Sequence, residues 1–267
     1  MLRLAVLWGL AASMGCAARA IRVPAAPLDE TAAVRLLDET ARLAAGVRRY
    51  QAVVSLRGEG ERGRFSGRLL VVFVRPSGGL DPEAVEAMRL ELFAPVGGSR
   101  WTLIASPGEV RLVVPAERAF AEGEELEEFT GPLLGVSVGR EAIAALLVGS
   151  GVPVGGSENL RSLPANGSAV LGNGAEIWWD DPAEGGQVRR VVAPGYEARY
   201  PGRYRRQGRQ VPRLVEVESE RTRATLTIEE LEVNTFLHPD SFEVRTPPGY
   251  RRAEVRELSR ASRLPER

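Results

Sequence analysis

Lysine is missing from this sequence: all 35 basic side chains are arginine, matched by 35 acidic ones. Alanine, glycine, arginine and proline are abundant, as GC-rich codons produce. A single arginine therefore carries little functional information and defaults to solvated surface charge. The formal net charge of zero leaves no electrostatic footprint for nucleic acid. Cysteine occurs once, at Cys16, and histidine once, at His238. A lone thiol excludes an internal disulfide and a cysteine-ligated metal site. Aromatic residues are few and are not interleaved with basic ones as RNA binding requires; Tyr196, Tyr200 and Tyr204 alternate and are expected to line a strand surface. The apolar run from Leu4 to Ala12 is too short to cross a bilayer. What remains is a globular composition, 44% hydrophobic and 26% charged, long enough for one large or two small domains.

The amino-terminal run has the form of a signal peptide: Met1-Leu2-Arg3, then the apolar Leu4 to Ala12, then small residues. Ser13-Met14-Gly15-Cys16 resembles the lipobox of bacterial lipoproteins, although Ser13 stands where leucine is usual. An ordinary secretory signal cut near Ala18 or Ala20 is the other reading. The lipobox reading makes residues 1–15 the signal peptide, Cys16 the lipid anchor and 16–27 a tether. Two or more acyl chains give stable attachment, at about 0.8 kcal/mol per buried methylene. Ala17, following Cys16 in place of Asp, implies release toward the outer membrane.

From Leu28 to Tyr50 the apolar positions Val34, Leu37, Ala41, Ala44 and Ala45 recur at helical spacing after Asp29. Gly46 loosens the end. Beyond Tyr50 the period becomes two. Strands are expected at 50–57, 64–75, 88–93, 100–105 and 110–114, with Gly58 to Gly63 as the first turn. Two short helices follow, Glu124 to Thr130 and Arg140 to Leu147. After a Gly-rich loop, strands return at 175–179, 187–192, 196–204, 213–220 and 223–233. A phase shift at Glu229-Glu230 marks a bulge. The stretch from Thr246 to Arg267 is polar and Arg-rich and is expected to be a mobile tail. Short connections make neighbouring strands antiparallel. About 10–11 strands in one sheet curl to shelter their edges. The expected fold is thus mainly β: an incomplete antiparallel β-barrel with an N-terminal helix and short helices as lid or plug, over residues 28–245. The residues facing its interior are Leu69, Val71, Phe73, Met88, Leu90, Leu92, Trp101, Leu103, Val110, Leu112, Leu226 and Ile228. Pattern alone fits a filled core or a greasy cavity.

Three stretches, in order, resemble the LolB-like outer-membrane lipoprotein receptors within the LolA/LolB-like lipoprotein carriers. They are Leu90 to Leu103, with the turn Ala94-Pro95-Val96-Gly97-Gly98; Glu124 to Gly149, with Thr130-Gly131-Pro132-Leu133-Leu134-Gly135-Val136; and the late strands from Glu176 to Val233. The resemblance implies a hydrophobic cavity for acyl chains and delivery of lipoproteins to the outer membrane. It also implies a periplasmic LolA-like carrier as partner, no covalent step and no cofactor. In that family a loop between two strands promotes membrane insertion. The matching loop here is Pro95, Val96 and Gly97, with Val96 where leucine is usual. The longer loop Pro76 to Val85, which exposes Leu80, is a rival for the role.

Enzymatic readings are weaker. Gly135-Val136-Ser137-Val138-Gly139 spells a nucleophile elbow, with His238 as the base, but such an elbow needs a strand-to-helix turn in a parallel sheet. Asp180-Asp181 and Glu229-Glu230 are neighbours that a strand sends to opposite faces, so neither forms a glycosidase pair. Gly155-Gly156-Ser157 lacks the lysine of a phosphate loop. The competing class is an assembly lipoprotein binding a protein partner through an open sheet edge.

Overall fold

The computed structural model describes residues 28–61, 63–76, 85–94, 97–153, 155–164, 166–180, 186–206, 208–243 and 246–261. Cys16, the signal peptide, the tether, Pro95, Val96 and residues 77–84 of the Leu80 loop lie outside the described residues.

Helix α1 spans Glu30–Ala45. Asp29 caps it by accepting from the Ala32 amide at 2.7 Å, which satisfies one of the free N–H groups of the first turn. It buries Ala33, Leu36, Leu37 and Ala44. The helix stops short of Tyr50 because the backbone from Arg49 onward is taken up by strand pairing on both sides. Asn234 holds this junction together. Its side chain accepts from the Arg48 and Arg49 amides at 2.8 and 3.1 Å and donates to the Gly46 carbonyl at 2.8 Å. Asn234 adopts φ +58°, a left-handed conformation that asparagine tolerates better than most residues.

The strands are β1 Arg49–Gly60, β2 Gly63–Val74, β3 Ala87–Phe93, β4 Ser99–Ser106, β5 Glu109–Val114 and β6 Ala119–Gly123. Helices α2 Glu127–Leu134 and α3 Arg140–Val148 come next. Then follow β7 Leu160–Ser162, β8 Ala169–Leu171, β9 Glu176–Trp179, β10 Val188–Ala193, β11 Tyr196–Arg206, β12 Arg209–Glu218, β13 Thr222–Val233, β14 Arg251–Arg252 and α4 Val255–Ala261. All fourteen strands among the described residues form one sheet, from β14 through β6, β5, β4, β3, β2, β1, β13, β12, β11, β10, β9 and β8 to β7. Two antiparallel meanders thus meet where β1 pairs β13. The sheet is open, its edges being β14 and β7.

Among the described residues the sheet therefore has fourteen strands rather than about 10–11. The additional ones, β6, β7, β8 and β14, are two to five residues long, too short for a period of two to declare itself. The Glu229-Glu230 bulge is present: Val53 faces Glu230 and Val54 faces Ile228. Arg68 lies 3.0 Å from Glu229 and 4.0 Å from Glu230. The bulge, contrary to strict alternation, brings both carboxylates to one guanidinium.

A flat sheet of fourteen strands at about 4.8 Å spacing would measure roughly 60 Å across. Here one sheet face and all four helices share a single apolar cluster, so the sheet must wrap around the helices. The connection from β6 to β7, next to one edge and at the other, runs through α2 and α3 and bridges the wrapped face. The outer face carries ion pairs, among them Arg89–Glu91 and Arg111–Glu122. After β13 the chain crosses this outer face, where the 3₁₀ turn Pro239–Phe242 lies against β3 and Arg89 donates to the Ser241 carbonyl.

The stretch after Thr246 corrects the expectation of a mobile tail as far as Ala261. β14 adds to β6 in parallel, and the amides of Arg251 and Ala253 donate to the carbonyls of Arg118 and Phe120. Helix α4 sinks Leu258 completely into the core. Polar composition concealed one apolar anchor and a backbone ladder that needs no particular side chain.

Candidate functional site

Strand register aligns the inward side chains into rows that cross the sheet. Leu231, Ala52, Val71, Leu90, Leu103, Leu112 and Ala121 form one row across seven strands. Ile228, Val54, Leu69, Leu92 and Trp101 form a second. Val233, Tyr50, Phe73, Met88, Ala105 and Val110 form a third, at the sheet end where β2 leads into β3. Of the residues picked from the sequence, Leu69, Val71, Phe73, Met88, Leu90, Leu92, Trp101, Leu103, Val110, Leu112 and Ile228 are buried on this face. Leu226, opposite Leu56, is half-buried against the same cluster. Gly97 sits in the β3–β4 turn at φ +63°, and Ala94 donates to Gly98 across that turn. The turn lies at the sheet end away from Tyr50.

The helices complete the enclosure with Leu36 and Leu37 of α1, Phe129 of α2, Ile143, Ala144 and Leu147 of α3, and Leu258 of α4. Hydrogen bonds fix where they sit. The Tyr196 hydroxyl donates to the Gly151 carbonyl at 2.8 Å, and Tyr200 to Leu146 at 3.2 Å. These tyrosines, expected on a strand surface, point inward and anchor the end of α3. Burial pushes the pKa of both hydroxyls up, so they remain donors. Trp179 Nε1 donates to Thr40 of α1 at 3.3 Å. Thr130, fully buried, donates to Val138 and accepts from its amide, closing the α2–α3 turn. Gly151 has φ +80°, and a Cβ there would come 2.3 Å from Val191.

Two arginines depart from the surface default. Arg75, 5% exposed, donates from Nη1 to the Ala44 and Val47 carbonyls at 2.9 and 2.7 Å and lies over the Phe73 ring. It satisfies the carboxyl end of α1, where positive charge is favoured. Arg203 donates to Val188 and Gly149 and covers the Tyr200 ring, and burial lowers its pKa. No sequence signal separates these two from the solvated arginines, since each role is defined by a distant carbonyl.

The elbow-like sequence is placed apart from any strand-to-helix turn. Ser137 lies between α2 and α3, and its hydroxyl donates to the Glu127 carbonyl at 3.3 Å. His238 is exposed beside the outer 3₁₀ turn, with Nδ1 accepting from the Asp240 amide. Among the described residues no cluster of three or more His, Cys, Asp or Glu could hold a metal ion, and no helix is long and apolar enough to cross a membrane.

The class defined by this geometry is an open, mainly antiparallel half-barrel wrapped around a helical plug. Solved structures share it. A DUF1329 family protein from Desulfovibrio piger superposes with a TM-score of 0.55 at 10% identity, over 82% of this chain and 98% of that one. A putative outer membrane lipoprotein-sorting protein domain from Vibrio parahaemolyticus superposes with a TM-score of 0.52 at 10% identity, over 80% and 97%. No family profile and no curated protein matches the sequence. At such identities the likeness is one of fold.

Proposed function

We propose that this protein is a non-catalytic, outer-membrane-anchored lipoprotein that takes up acyl chains of lipoproteins or lipids between its helices and its sheet and passes them to the outer membrane. The observation that carries the reading is the unbroken apolar face, three rows deep and up to seven strands wide, enclosed by helices. Sheltering an acyl chain on such a face is favourable by about 25 cal/mol per Å² of apolar surface removed from water. The fold shared with a domain named for outer membrane lipoprotein sorting agrees with this role. A LolA-like carrier as donor, Cys16 as anchor, and Pro95, Val96 and Gly97 as insertion loop belong to the same proposal.

The rival reading, a protein partner added at an open sheet edge, finds little support. The edges are β7, three residues, and β14, two exposed arginines. Short, charged edges are how sheets avoid further pairing.

The test is organic extraction of the purified chain followed by mass spectrometry. Non-covalently held acyl species at near one equivalent per chain are expected. Their absence, together with failure to take up a fluorescent fatty-acyl probe, would sink the proposal.

A further inference from the structure

Three tyrosines are fully or nearly buried inside the half-barrel. Tyr196 and Tyr200 use their hydroxyls to hold the end of α3. The third, Tyr50, is 1% exposed, and its hydroxyl has no hydrogen-bond partner among the described residues. Its ring is fixed in a stack on Phe73, centroids 4.9 Å apart and planes 6° from parallel. A buried hydroxyl without a partner loses its hydration and gains nothing in return, so native folds rarely keep one. A phenylalanine would stack equally well at no such cost.

Burial, with a smaller contribution from Tyr204, pushes the Tyr50 pKa far above its ordinary 10.0. The group is therefore a neutral donor that wants an acceptor oxygen. A charged acceptor would itself be stranded in an apolar interior, so the complement is an uncharged oxygen, and the strongest such acceptor an acyl lipid carries at the head of its chains is the ester carbonyl. Tyr50 belongs to the end row with Val233, Phe73 and Met88. From there to Leu56, β1 runs about 20 Å along the apolar rows, against about 15 Å for the hydrocarbon of one bilayer leaflet.

We propose that the Tyr50 hydroxyl donates to the ester carbonyl of a bound acyl lipid. It holds the headgroup side of the ligand at the Tyr50 row while the chains extend over the Val71 and Leu69 rows toward Trp101. This rests on the acyl-binding reading above and names its ligand class: ester-linked acyl lipids in preference to bare hydrocarbon or ether lipids.

The experiment compares a fluorescent diacylglycerol with its dialkyl ether analogue, which has the same chains and no carbonyl, on the full chain and on Tyr50→Phe. The wild type should prefer the ester by about tenfold, as one hydrogen bond provides. Tyr50→Phe should bind both probes equally, with ether affinity unchanged, and should melt no lower than the wild type. Retention of the ester preference by Tyr50→Phe overturns the assignment of Tyr50 while leaving acyl binding intact. No ester preference in the wild type overturns it too, whether or not the variant folds. A wild type that binds neither probe overturns both readings.

Discussion

At the scale of single residues, the informative positions are polar groups whose partners lie far away in sequence. Replacing Arg75 by Met keeps an apolar stem on Phe73 but strips the buried Val47 carbonyl of its donor and leaves the Ala44 carbonyl with the Val47 amide alone. At about 1–3 kcal/mol for a stranded group, the variant should lose roughly 2–4 kcal/mol, read as a lower denaturant midpoint with unchanged slope. Glu197 makes a gentler case. Arg190 grips its carboxylate with bonds of 2.8 and 2.9 Å, and Arg199 adds one of 2.6 Å. The hydrogen bond from Arg190 is the main cause that holds its pKa below the ordinary 4.5. A depressed carboxyl pKa stabilises the folded chain above the unfolded value and stops doing so as pH falls through the folded one. Glu197→Gln should therefore cost under about 1 kcal/mol at pH 7, since the site is partly solvated. The difference should vanish in melts run well below pH 4.5.

At the scale of elements, β14 and α4 bind the last described residues to the β6 edge. Leu258→Ala, in a fully buried position, should cost about 2–4 kcal/mol, while an exposed neighbour such as Arg256→Ala should cost little. Thermal melts of the two variants check the contrast. The same elements mark where the sequence was readable and where it was not. β2 to β5 were legible because one face of each is buried over several alternations, and Leu69, Val71, Leu90 and Leu103 each declared it. β7, β8 and β14 offer one alternation or none. They exist because neighbouring strands present free backbone groups, which composition does not encode. Helix α1 ends at Ala45 with Gly46 as its cap, short of the expected Tyr50, because Asn234 and pairing across the sheet impose the stop. The apolar face of the candidate site was visible in advance, whereas Tyr50 was passed over as the first residue of a strand. Its unpartnered hydroxyl is a property of its surroundings.

At the scale of the whole molecule, the proposed ligand couples to stability. A lipid that binds only the folded chain stabilises it by about 2.7 kcal/mol at one hundred times its Kd. For a domain of this size that corresponds to roughly 5–10 °C in Tm. Chain stripped of lipid by organic extraction and refolded should melt lower than untreated chain, and adding back a diacyl lipid should restore the difference. An equal Tm with and without lipid would contradict a specific site.

The seam between the two meanders has a consequence for how the molecule comes into being. β1 pairs with β13, a partner about 160–180 residues downstream, and contacts so distant in sequence are slow to form. While the chain emerges amino end first, β1 has β2 on one flank and nothing on the other. The first half therefore waits with its greasy rows half-sheltered, vulnerable to association with other chains until the thirteenth strand arrives to close the seam.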